Sequence, residues 1–293
     1  MTDTQSLRGH GAMLLFSVLV AGSFSLGSIA APLIDPTAMN AIRFLIAAMI
    51  IGALVLAGPG FKREHIKAPW RYLALGGLFA IYFVAMFEGL KTASPVSTSA
   101  VFTLTPVMSA GFGWLFLRQI TTPRMAFALT LAATGAIWVI FRADVDAILA
   151  FNIGKGETIF FFGCIAHAAY TPLVRKLNRG EPLLVFTFGT LAAGFLVLST
   201  FGAKEIVAIN WLALPSIVWI TILYVSIFAS ATTFFLVQYA TMRLPSAKVM
   251  AYTYLVPAWV ILWETAMGHG FVALPVLAGV VVVIVALLML LKD

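Results

Sequence analysis

Charge is what this chain has least of: Asp, Glu, Lys and Arg supply 10% of its residues, while 62% are hydrophobic and the mean hydropathy is +1.04. A soluble fold of this length could not solvate such a surface, so the composition points to a polytopic membrane protein. Cysteine is nearly absent. The single thiol, Cys164, falls inside an apolar run, which excludes an internal disulfide and a cysteine-based metal site and reads as buried and inert. Acidic residues number only eleven. There is no HExxH, no aspartate-rich motif and no serine in a nucleophile elbow, so a membrane enzyme is a poor second reading and no metal or other cofactor is expected. A channel is the other competing class, but the charged rings or repeated carbonyl filters it would need are not visible.

The charge that remains is lopsided, with a net +7. In a soluble protein that would suggest nucleic acid; here the basic residues sit between hydrophobic segments, so their use is topological and nucleic acid is not an expected partner. A hydrocarbon core of about 30 Å needs roughly 20 helical residues. Ten segments qualify: 11–30, 37–57, 72–90, 96–117, 124–141, 156–174, 182–202, 212–237, 246–266 and 272–291. With the amino terminus inside, thirteen of the eighteen Lys and Arg residues fall on the inner side and four outside, Arg43 lying within a helix. That bias predicts both termini in the cytoplasm. Met1 to His10 reads as a short polar tail with no small-residue cleavage site after the following apolar run, so the first helix is expected to stay.

The stretch KTASPVSTSAVFTLTPVMSAGFGWLFLR, from Lys91 to Arg118, returns in altered form as MRLPSAKVMAYTYLVPAWVILWE, from Met242 to Glu264. In both, a short break with one proline precedes a helix carrying a second proline, Pro106 or Pro257. A proline inside a membrane helix frees a carbonyl and persists where a neighbouring helix or a cavity can satisfy it. Pro106, Pro172 and Pro257 are therefore candidate hinge or gating positions, packing kinks being the alternative. The connection RADVDAILAFNIGK, read as the longest outer one, marks a midpoint. It divides the chain into units 1–147 and 148–293 of five helices each. An odd number per unit means the second enters the membrane inverted, so the expected fold is all-α, with ten transmembrane helices in two inverted five-helix repeats forming one transport unit.

These features resemble the drug/metabolite transporter superfamily, specifically its ten-helix EamA-type members, over nearly the whole chain. AGSFSLGS from Ala21 to Ser28, DPTAMNAIRFLIAAM with Arg43, GLKTAS followed by Pro106, then FFFGCIAHAAYTPLVRKL and the Pro257 helix carry the resemblance. Two departures stand out. The tryptophan usual in the first helix is Ala21 here, and the glutamate that commonly closes the fourth helix is Gln119, with Gly268, His269 and Gly270 at the corresponding turn of the second unit. Within the family the chain is most similar to a bacterial exporter of aromatic amino acids. The resemblance implies export of amino acids and related metabolites across the bacterial inner membrane.

Helical spacing selects candidate cavity faces, since residues three, four or seven apart share one side. The cavity candidates are Phe24 on the first helix, Phe79 and Tyr82 on the third, Ser99 and Thr103 on the fourth, and His167 and Tyr170 on the sixth. Ser230 and Thr233 on the eighth and Met250 and Tyr254 on the ninth complete the set. A lining of this kind suits a zwitterion with an apolar or aromatic side chain. It suits a sugar phosphate poorly, because only Arg43 lies well inside a segment. Hydroxyls at such spacings also pack membrane helices, and His167 reads equally as a cargo contact or a neutral packing histidine. Arg43, Glu88, Lys91 and Glu264 are candidates for an outer charge network, with Lys91 alternatively snorkelling to the interface. Both Glu88 and Glu264 are peripheral, which favours facilitated rather than proton-coupled export, His167 keeping the coupled version open. The expected partners are a small neutral or aromatic amino acid and the lipid bilayer, with the monomer as the functional unit.

Overall fold

The computed structural model describes residues 3–150 and 153–291. Lys292, counted above among the inner basic residues, and Phe151 and Asn152 of the midpoint connection lie outside the described residues. Every regular element among those residues is helical. The first half holds α1 (Asp3–Ala30), α2 (Pro36–Ala57), α3 (Trp70–Leu90), α4 (Pro95–Phe102), α5 (Thr105–Leu117), α6 (Pro123–Ile140) and the short α7 (Val145–Leu149). The second holds α8 (Lys155–Leu177), α9 (Leu183–Phe201), α10 (Ala203–Ala208), α11 (Ser216–Ser226), α12 (Thr233–Thr241), α13 (Ser246–Ala251), α14 (Val256–Ala266) and α15 (Leu274–Leu291).

The helix starts are written in the sequence. Asp35, Ser94 and Thr122 each precede a proline, and each side chain accepts backbone N–H groups of the helix that follows, at 2.8 and 3.0 Å for Asp35 and 3.2 Å for the other two. Such caps satisfy donors that a helix start leaves free, and proline at the first helical position has no N–H to lose. Nine helical segments among the described residues are long and apolar enough to cross a membrane, counting α4 with α5 and α11 with α12 as one each. The tenth expected span, 246–266, is α13, a 3₁₀ turn at Tyr252–Leu255, and α14.

Two details of the expected layout change. The eighth span runs Ser216–Thr241 rather than 212–237, because the chain after α9 first forms α10 and a 3₁₀ turn at Trp211–Ala213, and Pro215 in an extended conformation precedes the helix. The connection from 202 to 215 is consequently as long as that from 141 to 154, so the midpoint loop is not uniquely the longest.

Pro106 and Pro257 occupy the first turns of α5 and α14, just after a break, and do not kink a continuous helix. Pro172 does lie inside its helix. Pro106 cannot donate to Phe102, four residues back; the Thr105 hydroxyl donates to that carbonyl instead, at 2.6 Å.

The helices pack in exchangeable pairs. α3 lies on α8 while α1 lies on α11 and α12; α5 packs on α8 while α14 packs on α1; α3 contacts α9 while α11 contacts α2. Two pairs, α2 with α9 and α6 with α15, join equivalent positions of the two halves, and the packing of α5 on α13 is matched by that of α14 on α4. Lipid tails are as apolar as leucine, so close backbone approach and polar contacts hold membrane helices together. The α6–α15 pair shows the device: a Cβ on Gly135 would come 2.8 Å from the Gly279 carbonyl oxygen, and one on Gly279 would come 2.8 Å from that of Gly135. The start of α1 lies at one end of the bundle, the near end, and the start of α2 at the other, the far end.

Candidate functional site

At the centre of the bundle α1, α3, α4, α8 and α12 bring a set of rings together. Phe79 lies 3.9 Å from Tyr170, 4.0 Å from Phe234 and 5.3 Å from His167 between ring centroids. Tyr82 lies 4.5 Å from His167 and 5.6 Å from each of Phe102 and Phe160, and Phe24 is 5.9 Å from the same two phenylalanines. Phe79, Tyr82, His167 and Phe234 of this set line a cavity of about 10 Å³ together with Phe16, Val20, Phe83, Thr233 and Val237. That is room for about one water. Any organic cargo must part these rings, so this conformation is closed at its centre.

Buried polar groups border the rings. His167 Nδ1 makes no hydrogen bond among the described residues. Gln238 donates to the Tyr170 hydroxyl at 3.0 Å and accepts from Thr187 at 2.5 Å, tying α12 to α8 and α9. Arg43, fully buried about two turns in from the start of α2, lies with its guanidinium carbon 3.5 Å from the centre of the Phe83 ring, which is part of the cavity wall. Its Nε donates to Ser230 Oγ at 2.5 Å, Nη2 to the Ala229 carbonyl at 2.7 Å and Nη1 to Asn40 Oδ1 at 3.4 Å. Ala229 and Ser230 belong to a π-helical turn, Ile227–Thr232, between α11 and α12. Such turns widen the helix and occur often at functional sites. All three acceptors are uncharged, which leaves a buried cation without a carboxylate partner among the described residues.

The sequence-derived candidates therefore divide. Phe24, Phe79, Tyr82, His167 and Tyr170 come together, Thr233 lines the cavity and Ser230 holds Arg43. Ser99 and Thr103 donate to carbonyls of their own helix, Val96 and Ala100. Met250 is buried in the main core, while Tyr254 packs among Met125, Ala128 and Leu287 beside α6 and α15, away from the rings. The 3₁₀ turn is the reason for Tyr254. It advances about 120° per residue against about 100° in an α-helix, so a face extrapolated along an α-helix drifts across it.

Of the four candidates for an outer charge network, only Glu88 and Lys91 pair with each other among the described residues. Glu88 pairs with Lys91 at 2.7 Å, Glu264 with His269 at 2.8 Å, and Arg43 turns inward. Gln119 accepts the Ser246 N–H at 3.2 Å at the start of α13. Sequence reading passed over Asn40, Gln238 and Glu157. Glu157, in the first turn of α8, is buried and accepts a hydrogen bond from Ser97 at 2.7 Å. Its one visible signal was a carboxylate just inside the boundary of an apolar segment.

Larger cavities open at the two ends of the broken helices. One of about 330 Å³ at the far end lies between the start of α4 and the α14–α15 loop, and includes Ser94, Ser97, Glu264 and His269. One of about 220 Å³ at the near end lies between the start of α13 and the α5–α6 loop, and includes Gln119, Thr121, Pro245 and Ala247. Exchanging the halves converts one description into the other.

Comparison with known proteins agrees with this architecture. The model of the EamA-like transporter family matches residues 7–141 and again residues 154–292. The chain is 25% identical over 277 residues to the uncharacterized transporter YyaM of Bacillus subtilis, covering 93% of this chain and 90% of that one. It is also 25% identical to YcxC of the same organism, over 96% and 94% of the two chains, and to an uncharacterized transporter of Archaeoglobus fulgidus over 85% of each. A solved crystal structure superposes with a TM-score of 0.74 at 18% identity, covering 99% of this chain and 97% of the other, a likeness of fold. The narrower likeness to an aromatic amino-acid exporter finds no support in these comparisons. With the family model matched twice along a multi-pass apolar helical chain, this protein belongs to the EamA-like transporter family.

Proposed function

We propose that this transporter is an alternating-access carrier for neutral amino acids, aromatic ones foremost, and that it exports them across a bacterial inner membrane with both termini in the cytoplasm. The observation that carries the reading is the closed ring cluster around His167 with the uncompensated Arg43 behind Phe83. An aromatic or apolar side chain would replace the ring contacts that the cluster now makes with itself. The carboxylate would take up the charge of Arg43, whose burial without an anion costs several kcal/mol. His167, Tyr82 and Thr233 would border the bound molecule.

The division into two inverted units near residue 147 is part of the proposal. It is supported by the double family match, by the exchangeable helix pairs and by the equivalent cavities at the two ends. Rocking of one unit on the other would open those ends in turn around a fixed centre. Thirteen basic residues assigned to the inner side support the orientation.

The test is uptake of labelled phenylalanine, tryptophan and threonine into liposomes holding the purified protein, with and without an imposed pH gradient. Saturable flux with counterflow is expected, indifferent to the gradient. No flux of any of the three would remove the amino-acid assignment, and non-saturating flux would point to a channel.

A further inference from the structure

The loop 58–69 between α2 and α3 and the loop 178–182 between α8 and α9 meet at the near end and enclose a cavity of about 410 Å³. Its wall holds Lys62, Lys67, Arg71 and Arg179 against Glu64 and Glu181. Arg71 is consumed internally. It donates to Glu181 at 2.5 Å and to the carbonyls of Leu177, Lys67 and Ala68 at 2.6, 3.2 and 3.3 Å. Glu181 is thereby neutralised, and also accepts the Arg179 N–H at 2.7 Å. Lys62 approaches Glu64 at 3.7 Å with both side chains mostly exposed, a contact that contributes little. Lys67 and Arg179 have no ion-pair partner among the described residues, so the cavity keeps a positive excess.

Directly beside it lies a groove of about 270 Å³ between α3 and α9, lined by Phe61, Ile66, Leu73, Val185, Phe188 and Ala192 among others, with almost no polar surface. His65 belongs to both walls. It is buried, its ring accepts the Lys62 N–H and its carbonyl accepts the Tyr72 hydroxyl, so the junction between the two spaces is fixed. Phe61, Ile66 and Trp70 are exposed on the same segment that carries the basic residues. Aromatic and apolar side chains interleaved with Lys and Arg at the end of a span mark the membrane interface.

We propose that this place binds one anionic phospholipid, with the headgroup phosphate between Lys67 and Arg179 and an acyl chain in the groove under Phe61 and Phe188. A basic pocket opening onto an apolar groove at headgroup level matches both halves of such a molecule, since nearby Lys and Arg side chains attract an anionic headgroup. A soluble anion would use only the upper cavity. The bound lipid would staple a loop of the first half to a loop of the second, and the site is separate from the one proposed for cargo.

The test is thermal unfolding of the detergent-solubilised protein with added phosphatidylglycerol, phosphatidylcholine or glycerol 3-phosphate. Phosphatidylglycerol is expected to raise the melting temperature by several degrees over phosphatidylcholine. The pair Lys67→Gln and Arg179→Gln should remove most of that increment. The pair Arg8→Gln and Arg118→Gln, an equal loss of exposed charge, should keep it. Ala192→Phe, which fills the groove, should reduce it. Equal shifts from both lipids, or a full increment in the Lys67 and Arg179 variant, would overturn the proposal. The same shift from glycerol 3-phosphate would assign the cavity to a free anion and overturn it too.

Discussion

The Ser109 hydroxyl of α5 donates to the carbonyl of Ala168 at 3.1 Å, and Ala168 stands four residues before Pro172 in α8. This is the carbonyl that the proline leaves without an N–H partner. One helix of the first half thus satisfies a backbone carbonyl that Pro172 frees in a helix of the second, two residues from Tyr170 and one from His167.

That relationship is testable by a double-mutant cycle. In the natural protein Ser109→Ala should cost on the order of 1 kcal/mol, the scale of an interhelical hydrogen bond in a membrane. With Pro172→Ala in place, the new N–H can satisfy Ala168, and Ser109→Ala should then cost little. Reversible unfolding in mixed micelles measures both; an equal cost in the two backgrounds would refute the assignment.

Arg43 offers a sharper probe of cargo chemistry. If its guanidinium meets the carboxylate, Arg43→Gln should lower phenylalanine transport at least tenfold, about 1.4 kcal/mol in differential binding. Removing the charge should also narrow the preference for phenylalanine over its amide, which lacks the carboxylate. Retained discrimination between the two compounds in a folded Arg43→Gln variant would show that the arginine only braces the π-helical turn.

What could be read from sequence and what could not follow from the range of the interactions. Asp35, Ser94 and Thr122 signal helix starts because cap and helix are neighbours in the chain. Phe79, Tyr82, His167 and Tyr170 could be chosen because their helices stay regular where they sit, so spacing gives the face. Tyr254 could not, since the 3₁₀ turn at Tyr252–Leu255 resets the rotation. Nor could the inward turn of Arg43 be foreseen. It depends on Ala229 and Ser230, nearly two hundred residues away, in a π-helical turn that no local pattern announced.

The Arg71–Glu181 pair gives a prediction about pH. Burial alone would push the Glu181 carboxyl up, but hydrogen bonds from Arg71 and from backbone N–H groups, with the Arg71 charge, hold it below the ordinary carboxylate value of 4.5. A lowered folded-state value means that the unfolded chain takes up the proton first. The pair therefore stabilises the fold fully above about pH 4.5 and loses its contribution as pH falls through the lower folded-state value. Glu181→Gln should lower stability at pH 7 and flatten the loss of stability on acidification below pH 4.5. An unchanged acid slope in that variant would mean that other carboxylates dominate it.

Gly135 and Gly279 test the equivalence of the two halves directly. Each approaches the other's carbonyl so closely that a Cβ on either would sit 2.8 Å from oxygen, inside any ordinary contact. Alanine is the better helix former by about 1 kcal/mol, so on an open helix face Gly→Ala would stabilise. Here overpacking should outweigh that gain, with a net loss within the ~1–3 kcal/mol typical of added methyl groups in a tight core. Because the contact is reciprocal, Gly135→Ala and Gly279→Ala should cost similar amounts. The double variant should cost less than their sum, since the first methyl already forces α6 and α15 apart. Gly111, whose Cβ would meet nothing within 4 Å, provides the control in which alanine should be neutral or stabilising. Unequal costs for the two single variants, or a loss at Gly111 as large as theirs, would contradict a shared two-sided contact at this helix pair.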